Sequence, residues 1–230
     1  MITNCPGWIP AALLLTAASA GCQADSRSDN RSSDWQPLFD GQTLSGWRGY
    51  HDQSVPNGWR VEDGLLHFSS GRGDLVTVET FSDFELSLEW KISEGGNSGI
   101  FYLAALGADQ IYMSAPEMQV LDDERHRDGK DPLTSAGANY GLHPAPRGVV
   151  KPAGQWNAAR IKVEDERIEH WLNGQLMVEY TIGSPEWQAL VDDSKFTDWP
   201  EYGKSRTGHI GLQDHGDPVW YRNIRIRRLD

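Results

Sequence analysis

The sequence predicts an all-β protein of two antiparallel sheets packed face to face, with one short helix. Three observations carry this. Apolar and polar residues alternate with period two through several short segments, an Asn-Gly pair joins two of them, and a single segment has helical spacing.

The clearest strand is Phe84–Ile92. Phe84, Leu86, Leu88, Trp90 and Ile92 fall on one face, and Glu85, Ser87, Glu89 and Lys91 on the other. Gly95-Gly96-Asn97 supplies turn residues, and Ser98–Leu103 reads as the returning strand. Glu117–Leu121 is a short strand with Glu117 and Gln119 on one face and Met118 and Val120 on the other. From Asp122 to Pro152 the chain is rich in Gly, Pro and Asp without periodicity, which marks a functional loop in a compact domain. Strands follow at Trp156–Val163, Arg167–Leu172 and Gln175–Tyr180, the last two joined by Asn173-Gly174, a strong hairpin signal. Ser184-Pro185-Glu186 gives an N-cap, a proline at the first helical position and an acid in the first turn. Trp187, Leu190 and Val191 then form an apolar stripe. Gly208–Gln213 and Val219–Arg227 read as the last two strands, and no internal repeat suggests a propeller or solenoid.

The N-terminus has a different character. Pro10–Gly21 is apolar and small, and no charged side chain precedes Asp25. That run is too short to span a bilayer and ends in small residues, as a secretory signal does. Ala18-Ser19-Ala20-Gly21-Cys22 resembles a lipobox with Cys22 as the lipidated residue, although Ser19 replaces an aliphatic residue and the first eight residues lack Lys or Arg. Residues 1–22 are therefore expected to be a signal peptide and residues 23–34 a flexible tether, too polar to offset the entropy of ordering. The folded domain is expected over residues 35–230, and the protein to be exported as a periplasmic or outer-membrane lipoprotein. Cys5 and Cys22 are the only cysteines, so the domain holds no disulfide, thiolate nucleophile or zinc–thiolate site. A formal charge of −12 argues against nucleic acid. Nine tryptophans from Trp35 to Trp220 serve either as core or as platforms for sugar rings.

The polar strand faces hold the candidate chemistry. Glu89 with Lys91, Glu117 with Gln119, and His209 with Gly211 and Gln213 each share a face. If the apolar sets meet between the sheets, these polar sets line an outer groove suited to hydroxyl-rich sugars. The same pattern also fits an ordinary solvated sheet face. Asp122, Asp123, Glu124, His126 and Asp128 form a cluster that matches no standard metal loop, so a solvated acidic loop competes with a divalent-cation site at Asp122. His209 and His215, six residues apart and beside Asp214, could supply a base titrating near neutral pH. Gly95-Gly96-Asn97-Ser98-Gly99 opens a strand rather than a helix, so it is read as a hairpin and not as a phosphate loop. No dinucleotide fingerprint, Walker loop or Ser or Cys nucleophile motif occurs.

The segments Leu38-Phe39-Asp40-Gly41, Asn97-Ser98-Gly99-Ile100-Phe101, Glu117-Met118-Gln119-Val120-Leu121-Asp122 and Trp171-Leu172-Asn173-Gly174 resemble those of the bacterial 3-keto-disaccharide hydrolase family. Gly208-His209-Ile210-Gly211-Leu212-Gln213-Asp214-His215-Gly216 and Val219-Trp220-Tyr221-Arg222-Asn223-Ile224 carry the most specific part of the resemblance, which runs from Trp35 to Leu229. It implies a concanavalin A-like jelly roll, export, and hydrolase or lyase action on glycosides already oxidised to a ketone at C3. Many members have an arginine soon after Asn-Ser-Gly-Ile-Phe. Here Tyr102-Leu103-Ala104 follows, so no contact of that arginine carries over.

Such a ketone acidifies the C2 hydrogen. A base can remove it, the C1 substituent leaves by β-elimination, and water can then add to the enone. On this chemistry His209 or His215 is the expected base and Glu117 handles the leaving-group proton. Lys91, Arg222 or a divalent metal ion would stabilise the enolate, and Glu89, Asn97, Gln119 and Gln213, with Arg222, would bind substrate. Two alternatives stand beside it: a two-carboxylate glycosidase using Glu89 and Glu117, and a non-catalytic, lectin-like surface module. The expected partners are a carbohydrate substrate, a separate sugar 3-dehydrogenase acting upstream, which would hold any nicotinamide cofactor, and a membrane reached through the lipid on Cys22.

Overall fold

The computed structural model describes residues 1–2 and 34–229. The signal-peptide, lipobox and Cys22 expectations, and all of the tether but Asp34, lie outside the described residues. From Asp34 onward the chain forms thirteen strands: β1 (Gln36–Pro37), β2 (Trp47–Gly49), β3 (Trp59–Glu62), β4 (Leu65–Phe68), β5 (Leu75–Thr77), β6 (Phe84–Ile92), β7 (Asn97–Ala104), β8 (Glu117–Leu121), β9 (Asn157–Glu164), β10 (Arg167–Leu172), β11 (Gln175–Thr181), β12 (His209–Leu212) and β13 (Val219–Arg228). One α-helix, α1, spans Pro185–Asp192. The longer strands fall within a residue or two of the ranges read from alternation. The short strands β1–β5 were not resolved from sequence.

The strands build two antiparallel sheets. An eight-stranded sheet runs β11-β10-β9-β6-β13-β4-β3, with β1 beside β13. A five-stranded sheet runs β2-β5-β12-β7-β8. The apolar face of β6 meets the inner faces of the five-stranded sheet in one core, where Phe84, Leu86, Leu88, Trp90 and Ile92 pack with Ile100, Met118, Val120, Ile210 and Leu212. Local chemistry matches the sequence at the turns. Asn173 and Gly174 both take positive φ, 50° and 83°, as a tight hairpin of this kind requires. Ser184 caps α1 by accepting the Trp187 N–H, with Pro185 at the first turn. Trp187 and Val191 are buried as expected, whereas Leu190 is exposed, so the apolar stripe is narrower than its spacing suggested.

The two sheets differ in how their outer faces are covered. On the outer face of the eight-stranded sheet, the two carboxylates of β6, Glu85 and Glu89, pair with arginines. Glu85 is buried between Arg160 and Arg227. Burial opposes its ionisation, but the two guanidinium groups more than offset this, and its pKa lies below the ordinary value. The five-stranded sheet is buried on both faces, since every residue of β5, β7, β8 and β12 is buried. The long segment after β8 lies along that strand's free edge. The Gly137 N–H donates to the Gln119 carbonyl, Gln119 N–H to Ala138 and Tyr140 N–H to Glu117, at 2.9, 3.1 and 3.0 Å. Part of the expected functional loop therefore extends the sheet and closes over its outer face.

A buried polar network ties this segment to the far sheet. The Tyr102 hydroxyl lies 2.7 Å from His170 Nε2 and 2.6 Å from the Tyr180 hydroxyl, and His170 Nδ1 lies 3.2 Å from the Gly137 carbonyl. Burial pushes the His170 pKa down to about 3, so the imidazole is neutral. Tyr102→Phe leaves these buried groups short of a partner and is expected to destabilise the fold by about 1–3 kcal/mol, measured by urea unfolding.

Candidate active site

The outer face of β8 and the neighbouring end of β7 form the floor of a cavity of about 140 Å³. Asn97, Glu117, Gln119 and Gln213 line it from the sheet. Tyr112, Tyr140, Lys195, Phe196, Trp199 and Tyr202 wall it from the covering segments, and His215 stands at its rim. The glycine at position 99 explains how a carboxylate lies flat on this floor. A Cβ there would sit 2.0 Å from Glu117 Oε1 and 2.7 Å from its carboxyl carbon, so the side chain of Glu117 crosses the strand where only hydrogen occupies the pleat.

Electrostatics single out Glu117. Burial is the largest influence on its carboxyl, Asp74 adds to it, Lys195 opposes it, and the pKa is raised to about 8. At neutral pH the group is therefore mostly a neutral acid, which is the state needed to donate a proton. Around it, Asn97 Oδ1, Gln119 Oε1 and Gln213 Oε1 are buried without a hydrogen-bond partner. The Gln119 amide is oriented by donating from Nε2 to the Thr134 carbonyl at 3.0 Å. Buried acceptors left open in this way call for donors from a ligand. Lys195 is an exposed residue, and its ammonium lies 4.5 Å from the centre of the Tyr140 ring. Partial burial lowers its pKa, and Glu117 and Asp128 act in the opposite direction.

The structure gathers five of the sequence candidates here: Glu117, Asn97, Gln119, Gln213 and His215. Four others lie elsewhere. Lys91, Glu89 and Arg222 are on the outer face of the eight-stranded sheet, because β6 and β13 belong to that sheet and their apolar faces point into the core. Lys91 packs over Trp220 and Trp156, with its ammonium 4.4 and 5.3 Å from their ring centres. Glu89 accepts from Arg222 Nε at 2.7 Å and Asn223 Nδ2 at 3.0 Å. The alternative that paired Glu89 with Glu117 is thereby corrected, since the two side chains lie on the outer faces of different sheets. His209 shares the outer face of the five-stranded sheet, but its Nδ1–H donates to the Thr77 carbonyl at 2.7 Å. Ile111 and Phe101 pack over Gly211, between His209 and the Gln213 end of the strand.

The acidic cluster after β8 is also reassigned. Asp122 accepts backbone N–H groups of Gly95 at 2.7 Å and Glu124 at 3.2 Å, Asp123 accepts that of Ala136, and His126 that of Asp128. These side chains build turns, and among the described residues no group of three or more His, Cys, Asp or Glu is placed to hold a metal ion.

Sequence reading missed Lys195 and the ring of Tyr112, Tyr140, Phe196, Trp199 and Tyr202. Lys195-Phe196-Thr197-Asp198 is a short 3-10 turn without periodicity. Its only signal was aromatic density: Phe196, Trp199 and Tyr202 in seven residues.

The family described as 3-keto-alpha-glucoside-1,2-lyase-like domain matches residues 34–227. The chain belongs to that family. A 3-keto-disaccharide hydrolase of Bacteroides thetaiotaomicron is 41% identical over 225 residues, covering 84% of this chain and 78% of that protein. Among solved structures, a Parabacteroides distasonis protein described as a glycosyl hydrolase superposes with TM-score 0.82 at 32% identity, over 86% of this chain and 95% of its own. A second from the same organism gives 0.68 at 30%, over 85% and 100%. A Bacillus subtilis protein of galectin-like fold, 16% identical with TM-score 0.53 over 88% and 92%, shares the fold alone. Family membership thus agrees with the jelly-roll sandwich seen here, and the cavity over β8 is the site to be explained in it.

Proposed function

We propose that this chain is an exported enzyme that cleaves 3-keto-glycosides, 3-keto-disaccharides among them, by removal of the C2 proton and β-elimination, with or without hydration of the resulting enone. The observation that carries this reading is Glu117, a buried carboxyl with its pKa near 8 on a floor of unpartnered amide oxygens. The name of the Bacteroides relative and the family description supply the substrate class.

The roles follow from the chemistry. A base takes the C2 proton and the electron pair moves onto the C3 oxygen as an enolate. The enolate then expels the C1 oxygen, which takes the Glu117 proton as it leaves. His215, at the rim and 4.0 Å from Asp217, is the base. Lys195 takes the part expected of Lys91, facing the developing enolate oxygen with a positive charge. Asn97, Gln119 and Gln213 accept from ring hydroxyls. The same oxygens could also ligate a hard cation, and assays with and without EDTA separate the two. Upstream, a separate sugar 3-dehydrogenase supplies the ketone. Lipid on Cys22 holds the enzyme in the periplasm or at the outer membrane, which intact-mass analysis of the N-terminal peptide from cell membranes tests.

The reading is tested by following release of the leaving group from a 3-keto-glucoside and from its unoxidised parent. Consumption of the ketone alone is expected. Cleavage of both would point to an ordinary glycosidase, and binding without turnover to a lectin. Lys195→Met has a more specific outcome. Lys195 lowers the Glu117 pKa, so its removal raises that pKa, and the alkaline fall in kcat/KM should move upward from about pH 8 while kcat drops.

A further inference from the structure

A second cavity, about 580 Å³, opens on the outer face of the same five-stranded sheet, beyond Glu117 towards β5 and β2. Its size is within the range of small-ligand sites, roughly 300–1,000 Å³. Tyr50, His51, Asn57, Arg72, Asp74 and Asp214 are among the residues that line it. Successive residues after β12 line the two cavities: Gln213 and His215 the first, and Asp214 between them the second. The segment at the 3-10 turn Ile111–Met113 also contributes to both, Gln110 lining the second cavity and Tyr112 the first. Asp74 also acts electrostatically on Glu117.

The walls of this cavity are built rather than loose. The Gly73 N–H donates to Asp214 Oδ2 at 2.7 Å, Asp214 N–H to Asp74 Oδ1 at 2.9 Å, and Gly216 N–H to Asp214 Oδ1 at 2.9 Å. Trp59 Nε1–H braces the Gly73 carbonyl from behind at 2.9 Å. His51 is fixed by its Nε2–H donating to the Asp109 carbonyl at 2.9 Å, and its ring packs edge-on against Tyr50 at 4.7 Å. His51, the exposed Arg72 and Asp74 thus bring an imidazole, a guanidinium and a carboxyl to the lining of one space.

We infer that this second cavity is the subsite for the leaving-group half of the substrate, and that it takes a second, polyhydroxylated sugar ring. Acceptors and donors set together in one cavity match ring hydroxyls, whereas an apolar aglycone would leave them unpaired. The inference rests on the cleavage proposed above for its placement, since elimination across C1–C2 over Glu117 puts the departing group on one side of that carboxyl.

Two measurements on the full chain test it. The first compares kcat/KM for a 3-keto-disaccharide and for the methyl 3-keto-glucoside, whose leaving group is too small to enter the second cavity. Arg72→Ala and His51→Ala are expected to lower the disaccharide-to-methyl ratio about tenfold, through KM. An unchanged ratio in both variants overturns the inference. The second needs no turnover: free glucose is titrated while the His51 ring signals, assigned with His51→Gln, are followed by NMR. A saturable shift that Arg72→Ala abolishes is expected, and unmoved signals overturn the subsite. If the wild type consumes neither ketone, the cleavage proposal fails, and the titration alone decides whether the cavity binds sugar.

Discussion

Replacing Glu117 with Gln is expected to lower turnover of a 3-keto-glycoside by roughly 10²–10⁴-fold, the usual contribution of a positioned general acid, and at the same time to stabilise the fold at alkaline pH. Both effects come from one cause. The folded-state pKa of about 8 lies above the ordinary 4.5, so the folded protein binds this proton more tightly than the unfolded chain. Stability associated with Glu117 is present in full below about pH 4.5 and is lost as pH rises through 8. Ionising the buried carboxyl costs on the order of a few kcal/mol. Gln cannot ionise, so the variant should match the wild type near pH 4.5, exceed it increasingly up to about pH 8, and keep a constant margin above that. Urea midpoints across that range measure the difference. In the wild type, kcat/KM should fall as pH rises through about 8, since the acid is then lost. A rate that rises there instead would make Glu117 a base and reverse its assigned role.

Gly99→Ala is expected to lose nearly as much activity as Glu117→Gln, although residue 99 has no functional group. The added methyl would sit 2.0 Å from Oε1, 2.7 Å from Cδ and 2.8 Å from Cγ of Glu117, contacts that cannot persist. Residue 99 does not need glycine for its backbone angles, since its φ is not positive. The glycine is required by the space over it. Because the obstructed atoms are the end of a side chain rather than backbone, the carboxyl swings aside and the strand remains. The variant should fold with β7 paired to β8, lose the alkaline limb centred near pH 8, and show a kcat within about tenfold of Glu117→Gln. Circular dichroism with the pH profile checks both halves. Wild-type activity in Gly99→Ala would mean that the carboxyl does not act from this position.

The strands were legible because each period-two segment, such as Phe84–Ile92, carries its own evidence for a buried and a polar face. Alternation says nothing, however, about which sheet a strand joins. Glu89 and Lys91 on β6 look as suitable as Glu117 and Gln119 on β8, yet their polar faces point to opposite sides of the sandwich. Only long-range pairing, β6 with β9 and β13 and β8 with β7, decides between them. His209 illustrates a second limit. Its face was read correctly, but Thr77, distant in sequence, takes its Nδ1–H. Lys195 shows a third, because residues that close over a sheet from an aperiodic segment leave no pattern to read. What the sequence did expose, the Glu117–Gln119 face and the Gln213–His215 end, is the part of the site that lies on or beside regular strands.

The central claim is that the bond breaks by elimination from a ketone, with a proton leaving C2. Incubating the enzyme with a 3-keto-glucoside in D2O and following C2 by NMR tests this most directly. Deuterium at C2 of the sugar product, or accumulation of the enone, is the expected result, and both should vanish with Glu117→Gln. Release of the leaving group with C2 still fully protonated and no enone would contradict the account and point to direct displacement at C1.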